Sequence, residues 1–488
     1  MRERTGERCV VIGAGPAGLT AAYELLLRGG NPIVLERDNV VGGLARTVKY
    51  RDYRFDIGGH RFFSKVGLIN TWWQEILGDD FLLRSRLSRI HYNGAFFDYP
   101  LRPINAFRGL GPAETLRVVM SYVRARIFPT SQETSFEQWV CNRFGRRLFE
   151  IFFKAYTEKV WGMKCSDIGA DWASQRLRNL DLWAALKDMV VNRNNEITTL
   201  IRQFRYPRLG PGMMWERVTE KMEQRGVPIF LGQKVTKVHV VGGRVTAVTT
   251  TNAEGSQTDV VGENFISSMP IRDLIAAIDP TPPQSVLEAS QRLHYRDFLT
   301  VGLIVGKQDV FSDNWVYIHS PDVKVGRIQN FKNWSADMVP DPSKTSLGLE
   351  YFVQQGDDLW NADDRSLIEF ATRECVELGF IHKGDVLDAI VIRMPKAYPV
   401  YDSEFKQNLG HIRDYLRDIA NLQLVGRNGQ HRYNNQDHSM MTGMYAAANV
   451  FGSNLDVWNV NVEGDYHEEV TESGQRMVEQ LAPARITP

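Results

Sequence analysis

Residues 9–43 read CVVIGAGPAGLTAAYELLLRGGNPIVLERDNVVGG, and little but one supersecondary unit fits them. Cys9–Ile12 is a short apolar strand, and Gly13-Ala14-Gly15-Pro16-Ala17-Gly18 is a GxGxxG turn. Leu19–Arg28 carries Leu and Ala at helical spacing and is stopped by Gly29-Gly30. Ile33–Leu35 is a second strand, closing on Glu36 and Arg37. The three glycines serve different ends. Gly13 permits the tight turn, Gly15 lets backbone approach a pyrophosphate, and Gly18 lets helix and strand pack closely. The helix amino end, with Pro16 and Ala17 in its first turn, offers free N–H groups and a positive dipole to phosphates. Glu36, eighteen residues beyond Gly18, stands where a carboxylate accepts ribose hydroxyls. A glycine-rich turn alone is common. Strand, turn, helix, strand and acid in register specify a βαβ dinucleotide-binding unit.

With 488 residues the chain exceeds one ordinary domain, so two or three lobes sharing a core are expected. Lys plus Arg and Asp plus Glu both number 58, which gives no reason to expect nucleic acid or an acidic membrane as partner. The four cysteines, Cys9, Cys141, Cys165 and Cys375, fit neither a disulfide framework nor a zinc site. No metal site is expected, and so few cysteines suit a reducing compartment. The apolar run Cys9–Leu27 is divided by Gly13, Gly15, Pro16 and Gly18 between a strand and a helix, so it is neither leader peptide nor membrane span. A cytoplasmic protein without a membrane span is the expectation; its composition is compatible with an oligomer.

Farther along, residues 72–77 and 113–128 read as helices, and HYNGAFFDYPL as a hairpin turning at Asn93-Gly94. Residues 135–190 are mostly helical in pattern. Residues 228–231, 234–240, 244–250 and 264–269 read as strands, with Gly242-Gly243 as a turn and Pro270 as a stop. A strand-rich stretch covers 298–353, residues 422–426 form a strand, 442–451 a helix, and the polar last thirty residues a surface helix and tail. The fold class expected is α/β: a Rossmann-type, glutathione-reductase-like dinucleotide-binding domain with a helical insert and an antiparallel-sheet substrate domain. The cofactor domain is assembled from separated pieces, 1–100, 206–290 and 416–460. The helical insert spans 101–205, the antiparallel sheet 291–415 and the tail 461–488.

The choice of FAD over NAD rests on Gly42-Gly43-Leu44-Ala45-Arg46 and Phe55-Asp56-Ile57-Gly58-Gly59-His60, which follow the acid closely. This pattern resembles the flavoprotein superfamily of amine oxidases, protoporphyrinogen oxidase, carotenoid desaturases and UDP-galactopyranose mutase. In such proteins glycines carry backbone past a flat cofactor with no Cβ between. From about residue 8 to about residue 455 the resemblance is closer to the mutases. It is carried by FDIGGHRFFSK, by SFEQWV with FFKAYTEKVWG and WASQRL, by RYPRLGPGMMW, by GRIQNFKNWS and by GRNGQHRYNNQDHSMMTG.

The resemblance implies a sugar-nucleotide mutase that interconverts pyranose and furanose forms of a UDP-hexose or related NDP-sugar, with N5 of reduced FAD as nucleophile on the anomeric carbon. NAD(P)H is a candidate external reductant. It further implies cofactor contacts from Gly13, Gly15, Pro16, Ala17, Gly18, Glu36, Arg37, Gly43, Leu44, Arg46, Gly58, Gly59, His60, Val235, Gly426, Arg427, Asn435, Gln436 and Ser439. His60 would lie beside the flavin, and Arg327 and Arg176 would hold the diphosphate. Tyr398 and Tyr433 would donate to its oxygens, and Tyr317 would stand on the nucleotide side. Trp334 occupies a position where such mutases carry a substrate-side tyrosine, and indole donates but cannot accept. Arg178 adds a second cation near Arg176, and the Tyr433–Asn435 spacing is shorter than in eukaryotic mutases. The alternative is an oxidoreductase of amine oxidase or desaturase type, whose pocket would be lined by aromatic and aliphatic groups rather than converging Arg and Tyr. A flavoprotein without catalysis of its own is the third reading.

Overall fold

The computed structural model describes residues 6–99, 101, 103–170 and 203–460. Its first layer is a five-stranded parallel sheet in the order Leu422–Leu424, Asn264–Ser267, Arg8–Ile12, Asn31–Leu35, Ile229–Phe230. Arg8–Ile12 is central, and Cys9, Val10, Val11 and Ile12 are all buried, as a strand covered on both faces requires. Val11 belongs to one core with the helix Pro16–Leu27, while Val10 and Ile12 belong to another on the opposite face.

Two glycines close this layer. A Cβ at Gly18 would sit 1.9 Å from the carbonyl oxygen of Gly13, and one at Gly443 would sit 2.4 Å from that of Ala17. Hydrogen at these positions lets the helix Pro16–Leu27 lie against its own strand and against Gln436–Val450, a helix from the far end of the chain. The Gly13–Gly18 turn and the C-terminal segment are thereby locked into one body.

A four-stranded sheet follows, built on Lys234–Val241 and Arg244–Thr251 with Gly242 and Gly243 at positive φ in the turn. The third sheet has seven strands in the order Val386–Pro399, Tyr295–Val305, Thr345–Val353, Arg327–Asn330, Trp315–Ile318, Ser88–Tyr92, Ala95–Asp98. It is antiparallel but for the Trp315–Ile318 and Ser88–Tyr92 pair. All eleven residues of Tyr295–Val305 are buried, because each face is covered. Leu299, Val301, Leu303 and Val305 meet the helix Asp364–Glu377 through Leu367, Ala371 and Cys375. Phe298 and Ile304 join Phe55 and Phe331 on the other face, and the missing side chain of Gly302 leaves room for the Phe55 ring.

The Asn93-Gly94 hairpin turns as expected, both residues at positive φ. Its strands pair into the seven-stranded sheet, not the parallel one, so residues 88–98 stand apart from the piece 1–100 to which the sequence assigned them. The helices that follow pack around Phe136, Trp139, Phe149 and Phe152 in a core that also takes in Ile90 and Phe97 of the hairpin. The helix Phe136–Phe144 starts with a capping box, in which Ser135 Oγ accepts from the Gln138 N–H and Gln138 Oε1 from the Ser135 N–H. The helices Gly212–Gln224, Asp364–Glu377 and Phe405–Arg417 were not foreseen, and no described helix is long and apolar enough to cross a membrane.

Candidate active site

A cleft of about 740 Å³ opens beyond the carboxyl ends of Arg8–Ile12 and Asn31–Leu35. Its floor is backbone: Gly13, Gly15, Pro16 and Ala17 line it, with Gly43 opposite. A Cβ at Gly43 would come within 3.1 Å of Gly15 Cα, so two glycine backbones face each other where a phosphate chain would run. The amino end of Pro16–Leu27 has no side-chain cap, which leaves its first N–H groups for a ligand. The Glu36 carboxylate accepts from the Ala14 N–H at 2.6 Å and the Asp38 N–H at 2.9 Å. Each of its oxygens keeps a lone pair for a ligand hydroxyl. Burial raises its pKa despite these two donors. The floor therefore fits an extended dinucleotide: slender at its middle, with donors for phosphate and an acid at one end.

Leu44, Gly58, Gly59, His60 and Val235 line the same cleft, as do Arg37, Gly426, Arg427, Asn435, Gln436 and Ser439. His60 Nε2 lies 2.7 Å from the Ile57 carbonyl oxygen, which can only accept, so Nε2 carries the proton. Burial, then the nearby charges of Arg427 and Arg327, bring the imidazole down to a pKa of about 4, so it is neutral at physiological pH.

Facing the floor is a wall of cation and phenol. Arg327 begins the strand Arg327–Asn330, and its Nε donates to the fully buried carboxylate of Glu350 on the neighbouring strand. The other Glu350 oxygen accepts from Gln329 Nε2 at 2.8 Å. Burial opposes the Arg327 charge, but Glu350 and the tyrosines around it outweigh burial and hold the guanidinium well above its ordinary pKa. Tyr398 and Tyr433 stack at 5.8 Å with 12° between planes, and the Arg427 guanidinium lies over both rings, 4.7 Å from Tyr433 and 5.6 Å from Tyr398. Burial pushes Tyr398 up to about 12, so it stays a phenol and keeps a proton to donate.

His60, Arg327, Tyr398 and Tyr433 are thus brought together on one cleft. Four sequence-selected residues are placed otherwise. Gly18 lies under the floor as a packing contact, and Arg46 pairs at 2.5 Å with Asp38, which is itself on the cleft. Tyr317 is set back from the cleft, opposite Arg327 in the strand register and between the rings of Tyr99 and Tyr156. Trp334 is the correction of most consequence. It is fully buried behind Gly59, stacked on Trp315 at 5.2 Å, and its indole N–H donates to the Asn314 carbonyl and Gln329 Oε1. An indole satisfied inside the protein supports the wall and cannot reach a ligand. Arg176 lies outside the described residues.

Three residues were missed. Glu350 anchors Arg327, and it had a signal: a lone acid in the apolar strand TSLGLEYFV must find a cation or lose its charge. Tyr156 follows a π-helical turn, Glu150–Lys154, that aims it at Tyr317 and at His319, on which it stacks at 4.9 Å. Lys396 lines the cleft with both Asp273 oxygens 2.5 Å from its Nζ, held by a positive φ that its sequence does not announce.

The model of the flavin-containing amine oxidoreductase family matches residues 16–391. The chain belongs to that family. An L-amino-acid oxidase of Sistrurus catenatus edwardsii is 30% identical over 135 residues, 24% of this chain and 26% of the oxidase. A probable UDP-galactopyranose mutase of Klebsiella pneumoniae is 26% identical over 169 residues, 33% of this chain and 42% of that protein. The matches therefore span about a quarter of the oxidase and less than half of the mutase. Among solved structures, reduced UDP-galactopyranose mutase superposes with a TM-score of 0.81 at 23% identity, covering 94% of this chain and 98% of that one. A putative protoporphyrinogen oxidase from Exiguobacterium follows at 0.68 and 15% identity, covering 92% and 100%. These neighbours establish the fold. The chain is an FAD-type α/β flavoprotein of that family.

Proposed function

We propose that this flavoenzyme is a sugar-nucleotide mutase, interconverting ring forms of a UDP-hexose or a related NDP-sugar. The observation that carries the reading is the convergence of Arg327, Tyr398 and Tyr433 beside Gly58-Gly59 and His60. A cation and two phenols on one wall suit a diphosphate far better than an amine or a hydrocarbon. The likeness to proteins named UDP-galactopyranose mutase supports the same reading. FAD would be held by Gly13, Gly15, Pro16 and Ala17 at the pyrophosphate, Glu36 at the ribose, and Gly58, Gly59, Arg427, Asn435 and Gln436 nearer the flavin ring. When bound and reduced, by NAD(P)H or another donor, it supplies a nucleophilic nitrogen to the sugar.

The chain's own residues do the rest. Arg327, fixed by Glu350, meets the negative charge that grows on the diphosphate as its bond to the sugar breaks. Tyr398 and Tyr433 donate hydroxyl hydrogens to the same oxygens. The imidazole of His60, neutral and tethered to the Ile57 carbonyl, adds no positive charge beside the flavin position.

UDP should perturb the reduced-flavin spectrum, and Arg327→Ala should weaken that response about 10- to 100-fold. Anaerobic, dithionite-reduced enzyme with UDP-galactose should give a ring isomer with no oxidised product. The family assignment and the oxidase relatives favour a second reading, an amine oxidase. Flavin bleached by an amino acid or amine, with no response to UDP, would decide for it.

A further inference from the structure

The helix Pro112–Ile127 carries an apolar stripe on its outer side. Leu116, Val119, Met120, Val123 and Ile127 follow one another at helical spacing, all exposed, and Phe128 continues the stripe at the helix end. Ile127 is 62% and Phe128 77% exposed, while the buried Val118 marks the opposite, inward side. Other large apolar side chains exposed among the described residues stand along the chain singly or in pairs. Here six fall within thirteen positions, 116–128. At 1.5 Å per residue the stripe is about 16 Å long, enough to rest along a surface. It belongs to the helical insert and is independent of how the cleft is read.

Charge says what kind of surface. On a helical wheel Arg117 and Arg124 flank the stripe on one side and Arg126 on the other, all exposed. Arg108 is also exposed, and no acid occurs between Glu114 and Glu133. Glu114 itself is committed to Arg147 and Arg117. A second copy of this chain, docked face to face, would set these arginines against each other, with no acid on residues 115–132 to meet them. An apolar stripe between rows of arginine is instead the chemistry of a helix lying in the plane of an anionic bilayer.

We infer that Pro112–Ile127 is a peripheral docking surface for an anionic lipid bilayer, with Ile127 and Phe128 entering the acyl boundary and Arg124 and Arg126 on the headgroups. The test is co-sedimentation of the full chain with phosphatidylcholine vesicles, with and without phosphatidylglycerol. The protein should pellet with the anionic vesicles and be released as salt is raised. Ile127→Ser with Phe128→Ser, and separately Arg124→Gln with Arg126→Gln, should each weaken partition on the order of ten-fold. Both pairs change exposed side chains, and an unchanged melting temperature would show the fold intact. Three outcomes overturn the inference. The wild type could stay in the supernatant with anionic vesicles at low salt. It could pellet equally with neutral vesicles and be indifferent to the arginine pair. Sedimentation equilibrium could show a dimer that the serine pair dissociates, which would make a second copy the occupant of this face.

Discussion

The floor of the cleft and the wall opposite are assembled over very different chain distances. The floor is largely a local run: Gly13, Gly15 and Glu36 lie within one strand–turn–helix–strand unit tied by the Ala14–Glu36 hydrogen bond over 22 residues, and Phe230 and Gln233 add backbone bonds to Glu36 from farther along the chain. The wall collects Arg327 and Glu350 from one sheet, Tyr398 from that sheet's last strand and Tyr433 from the C-terminal segment. Packing of backbone against backbone sets the first. A buried ion pair and stacked rings set the second. A local motif tolerates almost no added volume, whereas a dispersed wall depends on a few charge partners that no short window of sequence contains.

The harshest trial of that contrast is Gly18→Val. Its Cβ would sit 1.9 Å from the Gly13 carbonyl oxygen, which is backbone and cannot turn aside. The expected result is protein that is insoluble or free of flavin. Gly15→Ala is the control, since its Cβ meets only Gly43 Cα at 3.8 Å. That variant should fold with an unchanged melting temperature and lose flavin by dilution. Should Gly18→Val retain flavin at full occupancy, the floor is softer than these distances allow.

The wall is tested by a double-mutant cycle on Arg327 and Glu350. Glu350→Leu leaves a buried guanidinium without its carboxylate and should cost about 3–5 kcal/mol in chemical denaturation. Arg327→Met should cost less, because Glu350, whose pKa burial already raises, can take up a proton and remain as a neutral acid. Together the two changes should recover most of the loss while the UDP response stays as weak as in the Arg327 variant. Additive losses would mean that the two residues act separately, and the account of the wall would fall.

That difference also decides what could be read from the chain alone. The parallel-sheet unit was legible to within a few residues, because glycine spacing and apolar runs are local properties. The hairpin at Asn93-Gly94 was legible as a turn, yet its sheet was not, since pairing with Trp315–Ile318 is set over more than two hundred residues. Arg327, Tyr398 and Tyr433 could be picked out only through family resemblance. Trp334 shows the limit of that route: a position can align with a ligand contact while a larger ring turns inward, finds its acceptors in Asn314 and Gln329, and leaves the cleft. Lys396 depends on a strained backbone in an otherwise extended strand, which residue identity does not reveal.

The smallest expected effect lies on the seam between floor and wall. Asp56 ends the strand Tyr53–Asp56 just before the Gly58-Gly59 loop, and accepts hydrogen bonds from Thr47 Oγ1 at 2.7 Å and from the Tyr206 hydroxyl. Burial, opposed by those two donors and assisted by the charge of Glu350, raises its pKa to about 7. A carboxyl whose folded pKa lies above its unfolded value of about 3.9 binds its proton more tightly when folded. The stability it contributes is therefore complete below about pH 4 and lost as pH rises to about 7, a change on the order of 2–4 kcal/mol. Asp56→Asn, uncharged at every pH, should flatten this part of the stability profile. Subtracting the variant's denaturation midpoints from those of wild type between pH 4 and 8 isolates the effect. Glu350→Leu should shift the upper edge of the window downward, because the neighbouring negative charge that helps raise Asp56 is gone. A pH profile identical in wild type and Asp56→Asn would mean that water reaches this carboxylate, and that floor and wall meet across a wetter seam than the buried Asp56–Tyr206 contact implies.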